Sequence, residues 1–335
     1  MLKTLRFENY RVLRNATLPL APFTLLVGPN GCGKSTVINS LQSLKRWNQQ
    51  NPEEILSALQ RLDPNVSVSV VAEWDHVPAR STFAWRRTPN GWGQSTLHQD
   101  SNRAEQLRHD IRDSLDRWIH GIRLHRFDPP VLRQPAQIVP SPALGVGGEN
   151  LPAVLEALRD RSPEEFDRLA FEFRRLIPEF ERIALVTTDG GTKSIAFKTA
   201  SGTLIPSQSA SDGTLVALAL LTLAYLPVPP TLLCIEEPDH GIHPRLLREV
   251  IDALHRLSYP SNGRDPIQIV ATTHSPHMLN FFSDHPEEVL IAKKNGLEAE
   301  YVRLSDMPDI REIVGESGLG DAWYTGILGG VPAKT

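Results

Sequence analysis

The chain has 335 residues, 40% hydrophobic and 22% charged, which is enough apolar side chain to bury one large core or two modest ones and excludes a disordered polypeptide. Its net charge of −4 means that any nucleic-acid contact has to come from a local basic patch. Cys32 and Cys234 are the only cysteines, too few for a disulfide scaffold, which predicts a reducing, cytoplasmic setting. Residues 1–13 lack the apolar core of a secretory signal. No apolar run approaches the roughly 18 residues of a membrane span, so no membrane partner is expected.

Residues 2–20 alternate, with Arg6, Arg11 and Arg14 between apolar positions, and predict a β-hairpin. Residues 23–27 are a short β-prone run ended by Gly28, and Val37, Ile38, Leu41 and Leu44 stripe a helix from 35 to about 47. A helical piece is expected at 52–62, strands at 66–72 and 81–87, and a turn between strands at 89–93. Leu107, Ile111, Leu115 and Ile119 space a helix over 101–120, and a strand resumes at 122–127. From 128 to 150, Pro129, Pro130, Pro135, Pro140 and Pro142 and then Gly145, Gly147 and Gly148 predict an irregular, mobile connection and a lobe boundary. Helices are expected at 151–161 and 163–177, with strands at 183–188 and 194–198 around Asp189-Gly190-Gly191. The rest reads as helix 215–226, buried strand 231–235, helix 244–257, strand 267–272 and strands 288–294 and 298–304. No sustained heptads occur, which excludes a long coiled-coil arm.

The chemistry concentrates in four stretches. Gly28 to Thr36 (GPNGCGKST) fits the phosphate-loop pattern G-x-x-x-x-G-K-[ST], with Gly28, Gly33, Lys34 and Ser35 on its fixed positions. Gly28, Gly31 and Gly33 let the backbone approach an anion, Lys34 brings a point charge to phosphates, and Ser35 offers a hydroxyl to Mg²⁺. The run 232–238 (LLCIEEP) reads as a buried strand ending in two carboxylates. Glu236 could join a Mg²⁺ shell, and Glu237, pointing elsewhere, could act as general base on water. A third strand ends in Thr273-His274-Ser275-Pro276, placing His274 to sense a terminal phosphate. Ser209 to Thr214 (SASDGT) opens an apolar helix and offers a second anion site, best explained as serving a neighbouring subunit's nucleotide. Taken alone, the last three have plainer readings: an acidic turn, a capping histidine and an ordinary helix N-cap.

In this order GPNGCGKST, SASDGT, LLCIEEPDHGIHP and ATTHSP resemble the ABC-type ATPase heads of the SMC and RecF kind. Within that group they are most similar to the ATPase domain of overcoming-lysogenisation-defect (OLD) family proteins and to related stand-alone ATPases of phage-defence loci. The resemblance covers about residues 1–44 and 207–304; the middle matches only in layout. It implies an α/β P-loop NTPase with a mixed central sheet, an antiparallel β subdomain and an inserted helical lobe. The expected organisation is one ATPase head with a Walker A lobe (1–127), an inserted lobe (128–206), a signature, Walker B and switch-histidine segment (207–304) and a tail (305–335). Gly28, Pro29, Asn30, Gly31, Cys32, Gly33, Lys34, Ser35 and Thr36 would form Walker A, and Ser211, Asp212 and Gly213 the signature. Ser35 and Glu236 would hold Mg²⁺, Glu237 would be the catalytic base and His274 the switch histidine. The resemblance further implies slow, regulated hydrolysis of ATP, a homodimer closed around two nucleotides, a separate effector such as a nuclease, and duplex DNA as a further partner.

Three positions depart from the pattern: Glu236 stands for the Asp usual in transporters, the signature begins Ala-Ser-Asp, and His243 stands where many ABC proteins carry Asp. Gln134 is the candidate for the glutamine loop. OLD-type nucleases continue into a Toprim domain, whereas here 31 residues follow Leu304 without an Asp-x-Asp pair, so the effector is expected on another polypeptide. In the tail, Trp323, Tyr324 and Ile327 either cap the last strands or dock that partner. Arg103, Arg108, Arg112, Arg117, Arg123 and Arg126 form either a phosphate-binding face or a solvated surface. His240/His243 and His274/His277 have metal-like spacing but occupy loop positions already assigned. The alternatives are a RecF-like DNA repair factor and, disfavoured for want of a clear adenine-stacking aromatic before the loop, the nucleotide-binding subunit of a membrane transporter.

Overall fold

The computed structural model describes residues 1–48, 67–75, 79–88, 91–100, 105–139, 143–188, 190–261, 264–296, 298–308, 310, 312, 315 and 318–329. The helical piece expected at 52–62 lies outside them. In chain order the first elements are β1 (Leu2–Tyr10), β2 (Leu13–Pro19), β3 (Phe23–Val27), α1 (Lys34–Asn48), β4 (Val68–Trp74), β5 (Ala79–Thr88), β6 (Gly91–Asp100), α2 (Glu105–His120) and β7 (Ile122–His125). There follow α3 (Pro129–Leu132), α4 (Leu151–Arg161), α5 (Pro163–Leu176), β8 (Phe180–Thr187), β9 (Lys193–Thr199), β10 (Leu204–Pro206) and α6 (Asp212–Ala224). The last are β11 (Leu232–Glu236), α7 (Pro244–Ser258), β12 (Gln268–Thr273), α8 (Pro276–Asn280), β13 (Val289–Asn295), β14 (Glu298–Arg303) and α9 (Leu319–Tyr324). No helix among the described residues is long and apolar enough to cross a membrane.

The chain forms two compact units, one of residues 1–123, 231–234 and 268–335, the other of residues 124–230 and 235–267. The first contains an antiparallel sheet of order β2-β1-β4-β5-β6. The mixed central sheet has the order β14-β13-β3-β12-β11-β7, with β3 parallel to both β12 and β13, and β14 antiparallel to β13. This is the mixed α/β architecture with an antiparallel subdomain that the motifs imply. β3 and β12 are buried along their whole length, as continuous apolar runs in a parallel sheet must be. The tail helix α9 buries Leu319, Ala322 and Trp323, and Gly320 donates to Asn280 Oδ1 at 2.6 Å. Trp323 therefore caps this unit while Tyr324 and Ile327 stay exposed.

In the second unit α6 is apolar on all sides and buried from Gly213 to Leu223, so it is that unit's core helix. It packs against α5 and α7. Phe173, Phe180 and Phe197 stack beneath β8 and β9, with centroid separations of 4.8 Å between Phe180 and Phe197 and 5.5 Å between Phe173 and Phe197.

Several boundaries move for local reasons. α6 starts at Asp212, not at residue 215, because Ser211 accepts the Thr214 N–H at 3.1 Å and caps the helix there. β7 stops at His125, and β6 already begins at Gly91 inside the expected turn. The stretch 128–150 is irregular, as expected, and its described residues make several hydrogen bonds. Arg126 N–H donates to Val146 O at 2.8 Å, Ala136 and Lys193 exchange backbone bonds of 2.8 and 2.9 Å, and Asn150 bridges Gly145 and Ala143.

Gln268 shows how the first unit is held. Its buried side chain accepts from Leu2 N at 2.9 Å and donates to Leu2 O at 2.7 Å and Ala21 O at 3.1 Å, joining the start of β1 and the approach to β3 to β12. Gln268→Leu keeps the volume but removes these three bonds, leaving Ala21 O with only the Thr24 hydroxyl as a side-chain donor among the described residues. We expect a loss of about 2–4 kcal/mol in urea unfolding, since each buried unpaired group costs about 1–3 kcal/mol. A loss below about 0.5 kcal/mol, the scale of an ordinary surface change, would count against this tie.

Candidate functional site

In the first unit β3 ends at Val27 and the chain enters the glycine loop. A Cβ on Gly28 would lie 2.5 Å from Cys32 Sγ and 2.7 Å from Ala292 Cβ, so only glycine fits between the loop and β13. Gly31 and Gly33 take φ of 77° and 91°, the left-handed region that glycine adopts without a Cβ penalty. These turns wrap the loop around the start of α1, where the first N–H groups of a helix lack intrahelical acceptors. Lys34 is 7% exposed, and its Nζ donates to Gly28 O at 2.6 Å and Pro29 O at 3.2 Å. A buried ammonium must be solvated by the protein, and here the loop's own carbonyls do so. Ser35 and Asn30 are exposed, and Pro29 and Thr36 half-buried. Burial pushes the Cys32 thiol up, while the Lys34 ammonium opposes that shift.

Two supports of this loop escaped sequence reasoning. The β1–β2 turn backs it, because a Cβ on Gly33 would meet Val12 Cγ2 at 2.9 Å and Leu13 Cδ2 at 3.0 Å. Asn9 and Arg11 in that turn take φ of 54° and 55°. From the β13–β14 hairpin, Tyr301 donates its hydroxyl to Cys32 O at 3.3 Å, and burial raises its pKa well above the ordinary tyrosine range, keeping it a donor. Ala299 N–H donates to Val12 O at 3.1 Å. The alternating pattern marked both hairpins as strands but carried no signal that they flank the loop. His274 follows β12 in the same unit and is exposed. Behind it, Thr273 Oγ1 accepts the Ser275 N–H at 2.9 Å and turns the chain into α8.

The second unit carries the two carboxylates. Glu236 is the last residue of β11, 9% exposed, with Arg126 Nη1 3.6 Å from its Oε2. Glu237 takes φ 47°, a left-handed conformation that costs a side-chain-bearing residue about 1–3 kcal/mol. That twist breaks the strand alternation and turns the chain, and His240 N–H closes the turn on Glu237 O at 3.0 Å. His243, the departure noted above, is the N-cap of α7 and accepts the Arg245 N–H on Nδ1 at 3.2 Å. Ser211 and Asp212 are exposed and Gly213 is buried. A Cβ on Gly213 would lie 3.0 Å from Gly241 O and 3.3 Å from Ile242 Cα, so the start of α6 packs backbone to backbone on the turn after the carboxylates.

The structure thus groups Gly28 to Thr36 with His274 in one unit, and Glu236 and Glu237 with Ser211 to Gly213 in the other. Gln134 is exposed; its side chain donates to Pro130 O at 3.3 Å and its N–H to Val131 O at 3.1 Å, both within its own turn. Of the arginine series, Arg103 lies outside the described residues. Arg117 donates to Asp113 O and Ser114 Oγ, and Arg123 to the carbonyls of His120 and Ile122.

Residues 86–280 match the family described as "AAA domain, putative AbiEii toxin, Type IV TA system", and residues 1–106 match one described as "AAA ATPase domain". The OLD nuclease of Thermus scotoductus (strain ATCC 700910 / SA-01) is 49% identical over 41 residues, which are 12% of this chain and 8% of that protein. The aligned stretch is therefore a small part of that relative's length. The SMC head domain from Thermotoga maritima aligns with a TM-score of 0.46 at 15% identity, over 90% of this chain and 98% of that one.

The crowding at Gly28 yields a direct test. Gly28→Ala forces Cys32 and Ala292 apart, and we expect it to destabilise the protein by about 1–3 kcal/mol, as overpacking does. Combining it with Cys32→Gly, which removes the nearest atom, should recover part of that loss in urea unfolding. Equal stability of wild type and Gly28→Ala would show that the loop has room to spare.

Proposed function

Since this chain belongs to the AAA-domain family that it matches over residues 86–280, we propose that it is an ATP-driven switch. It binds and slowly hydrolyses ATP, pairs with a second copy around the nucleotide, and thereby controls a separate effector protein or DNA. The observation that carries this reading is the buried Lys34 ammonium held inside a loop of left-handed glycines by the Gly28 and Pro29 carbonyls. Phosphate oxygens offer that ammonium stronger, charge-assisted bonds than neutral carbonyls do, and the α1 N-terminus adds N–H donors for the same anion.

The Ser35 hydroxyl of the first unit and the Glu236 carboxylate of the second are each hard oxygen ligands, the class that Mg²⁺ prefers, and by the resemblance to ABC-type heads these two residues would hold the ion. When bound, Mg²⁺ supplies positive charge that offsets the negative charge of the phosphate oxygens. Glu237 accepts the proton of the attacking water as its oxygen bonds to the terminal phosphorus and the bond to the bridging oxygen breaks, releasing ADP and phosphate. His274, exposed at the end of β12, hydrogen-bonds the terminal phosphate. Ser211 to Gly213, at the capped start of α6, meet the nucleotide of the second copy. The resemblance to OLD-type proteins and to stand-alone ATPases of phage-defence loci favours a separate effector and a role in phage defence; the matched family's description names a toxin of a Type IV TA system.

Two experiments test this reading. Lys34→Ala should lose both nucleotide binding and phosphate release. Glu237→Gln should still bind ATP while turnover falls about 10²-fold or more, the usual contribution of a general base. Wild-type turnover in Glu237→Gln would remove that residue from the chemistry. In light scattering, Glu237→Gln with ATP and Mg²⁺ should shift to twice the monomer mass, and adding Ser211→Arg should abolish the shift. An unchanged mass in every condition would sink the paired arrangement.

A further inference from the structure

One side chain outside every recognised motif holds the start of α6. Arg133 follows α3 and is 21% exposed. Its Nη2 donates to Ala210 O at 3.0 Å and to Asp212 Oδ1 at 2.5 Å. Its carbonyl accepts from Ser207 Oγ at 3.1 Å and from Gln208 Nε2 at 3.2 Å. A single residue is thus bonded at both ends to residues 207–212, the segment that leads into the capped serine. Arg133 itself is fixed at the end of α3, where its N–H donates to Pro129 O at 3.3 Å and Val131 N–H donates to Asp128 O at 2.9 Å.

The charge matters as much as the geometry. Asp212 occupies the first turn of α6, where a carboxylate is favoured by the helix dipole but repels any other anion brought to the same N–H groups. Two like charges a few ångströms apart repel strongly enough to offset the attraction of a helix N-terminus. A guanidinium on the Asp212 carboxylate offsets that repulsion.

We propose that Arg133 is a positioning residue for this segment: it anchors residues 207–212 and neutralises Asp212, so that the start of α6 can receive the anionic nucleotide of a second copy. The proposal rests on the reading of Ser211 to Gly213 given above.

The test uses the full chain with ATP and Mg²⁺, and reads three quantities: fluorescent-nucleotide affinity, ATP-dependent mass by light scattering, and amide exchange across residues 207–214. For Arg133→Ala we expect unchanged nucleotide affinity, ATP-dependent association weakened about ten-fold or more, and exchange accelerated about ten-fold, the scale of a lost charge-assisted bond. Arg133→Lys keeps the charge and should associate nearly as wild type. Arg133→Ala with Asp212→Asn removes the exposed carboxylate charge and should recover much of the association, with exchange still fast. Normal association by Arg133→Ala overturns the proposal, and failure of Asp212→Asn to recover it overturns the charge half. If wild type does not associate with ATP, the paired arrangement falls, and the exchange data alone decide whether Arg133 anchors the segment: unchanged protection in Arg133→Ala rejects it. Should Arg133→Ala fold poorly, Arg133→Gln, which keeps the stem and one donor, carries the same comparisons.

Discussion

The phosphate loop depends on keeping a buried ammonium solvated by its own backbone. Lys34 reaches Gly28 O and Pro29 O only because Gly31 and Gly33 turn the chain left-handed. Those turns need in turn a floor without side chains, which is why Gly28 sits against Cys32 and Ala292. Each feature removes a Cβ or adds a carbonyl where a charge would otherwise be stranded, at a cost of several kcal/mol. The two hairpins that clamp this loop, through Val12, Leu13 and Tyr301, hold it in a shape that the loop's short sequence could not maintain alone.

The second unit uses a different device. Its buried helix α6 is apolar on every side, so propensity and burial secure the helix body but say nothing of its first turn. That turn is set by capping and by charge: Ser211 on Thr214, Arg133 on Ala210 and Asp212, and Gly213 against Gly241 and Ile242. Glu237 supplies the matching turn by accepting a left-handed backbone, a strain that persists only where the surroundings over-determine it. Strain, a polar clamp and a backbone contact thus converge on the few residues that the motifs singled out, whereas the helices around them are ordinary amphipathic packing.

The arginines divide along similar lines. Arg117 and Arg123 are engaged with the backbone of their own stretch, Arg126 stands by Glu236, and Arg133 stands by Asp212. The first three belong to one basic series in the sequence, but placed in the fold Arg126 and Arg133 attend carboxylates at chemically marked positions. An arginine suits this work because its planar donors hold a fixed fork, so that one guanidinium serves a carbonyl and a carboxylate with little further loss of freedom.

What the sequence by itself determined is the local chemistry. The glycine spacing, the apolar run of β3 and β11, the β-branched β12 and the alternation of β1 and β2 were legible because backbone conformation and burial period are written in residue type at short range. Gly28 to Thr36, Glu236, Glu237, His274 and Ser211 to Gly213 could be picked out for the same reason. Only the tertiary structure decided that Val12 and Tyr301 flank the loop, that Gln268 ties β1 to the central sheet, that α6 begins at Asp212, and that Arg133 bonds to Ala210 and Asp212. These contacts join residues far apart in the chain, such as Leu2 with Gln268 or Arg133 with Asp212. Each partner alone is an unremarkable polar or apolar residue, and its function exists only in the distance between the two.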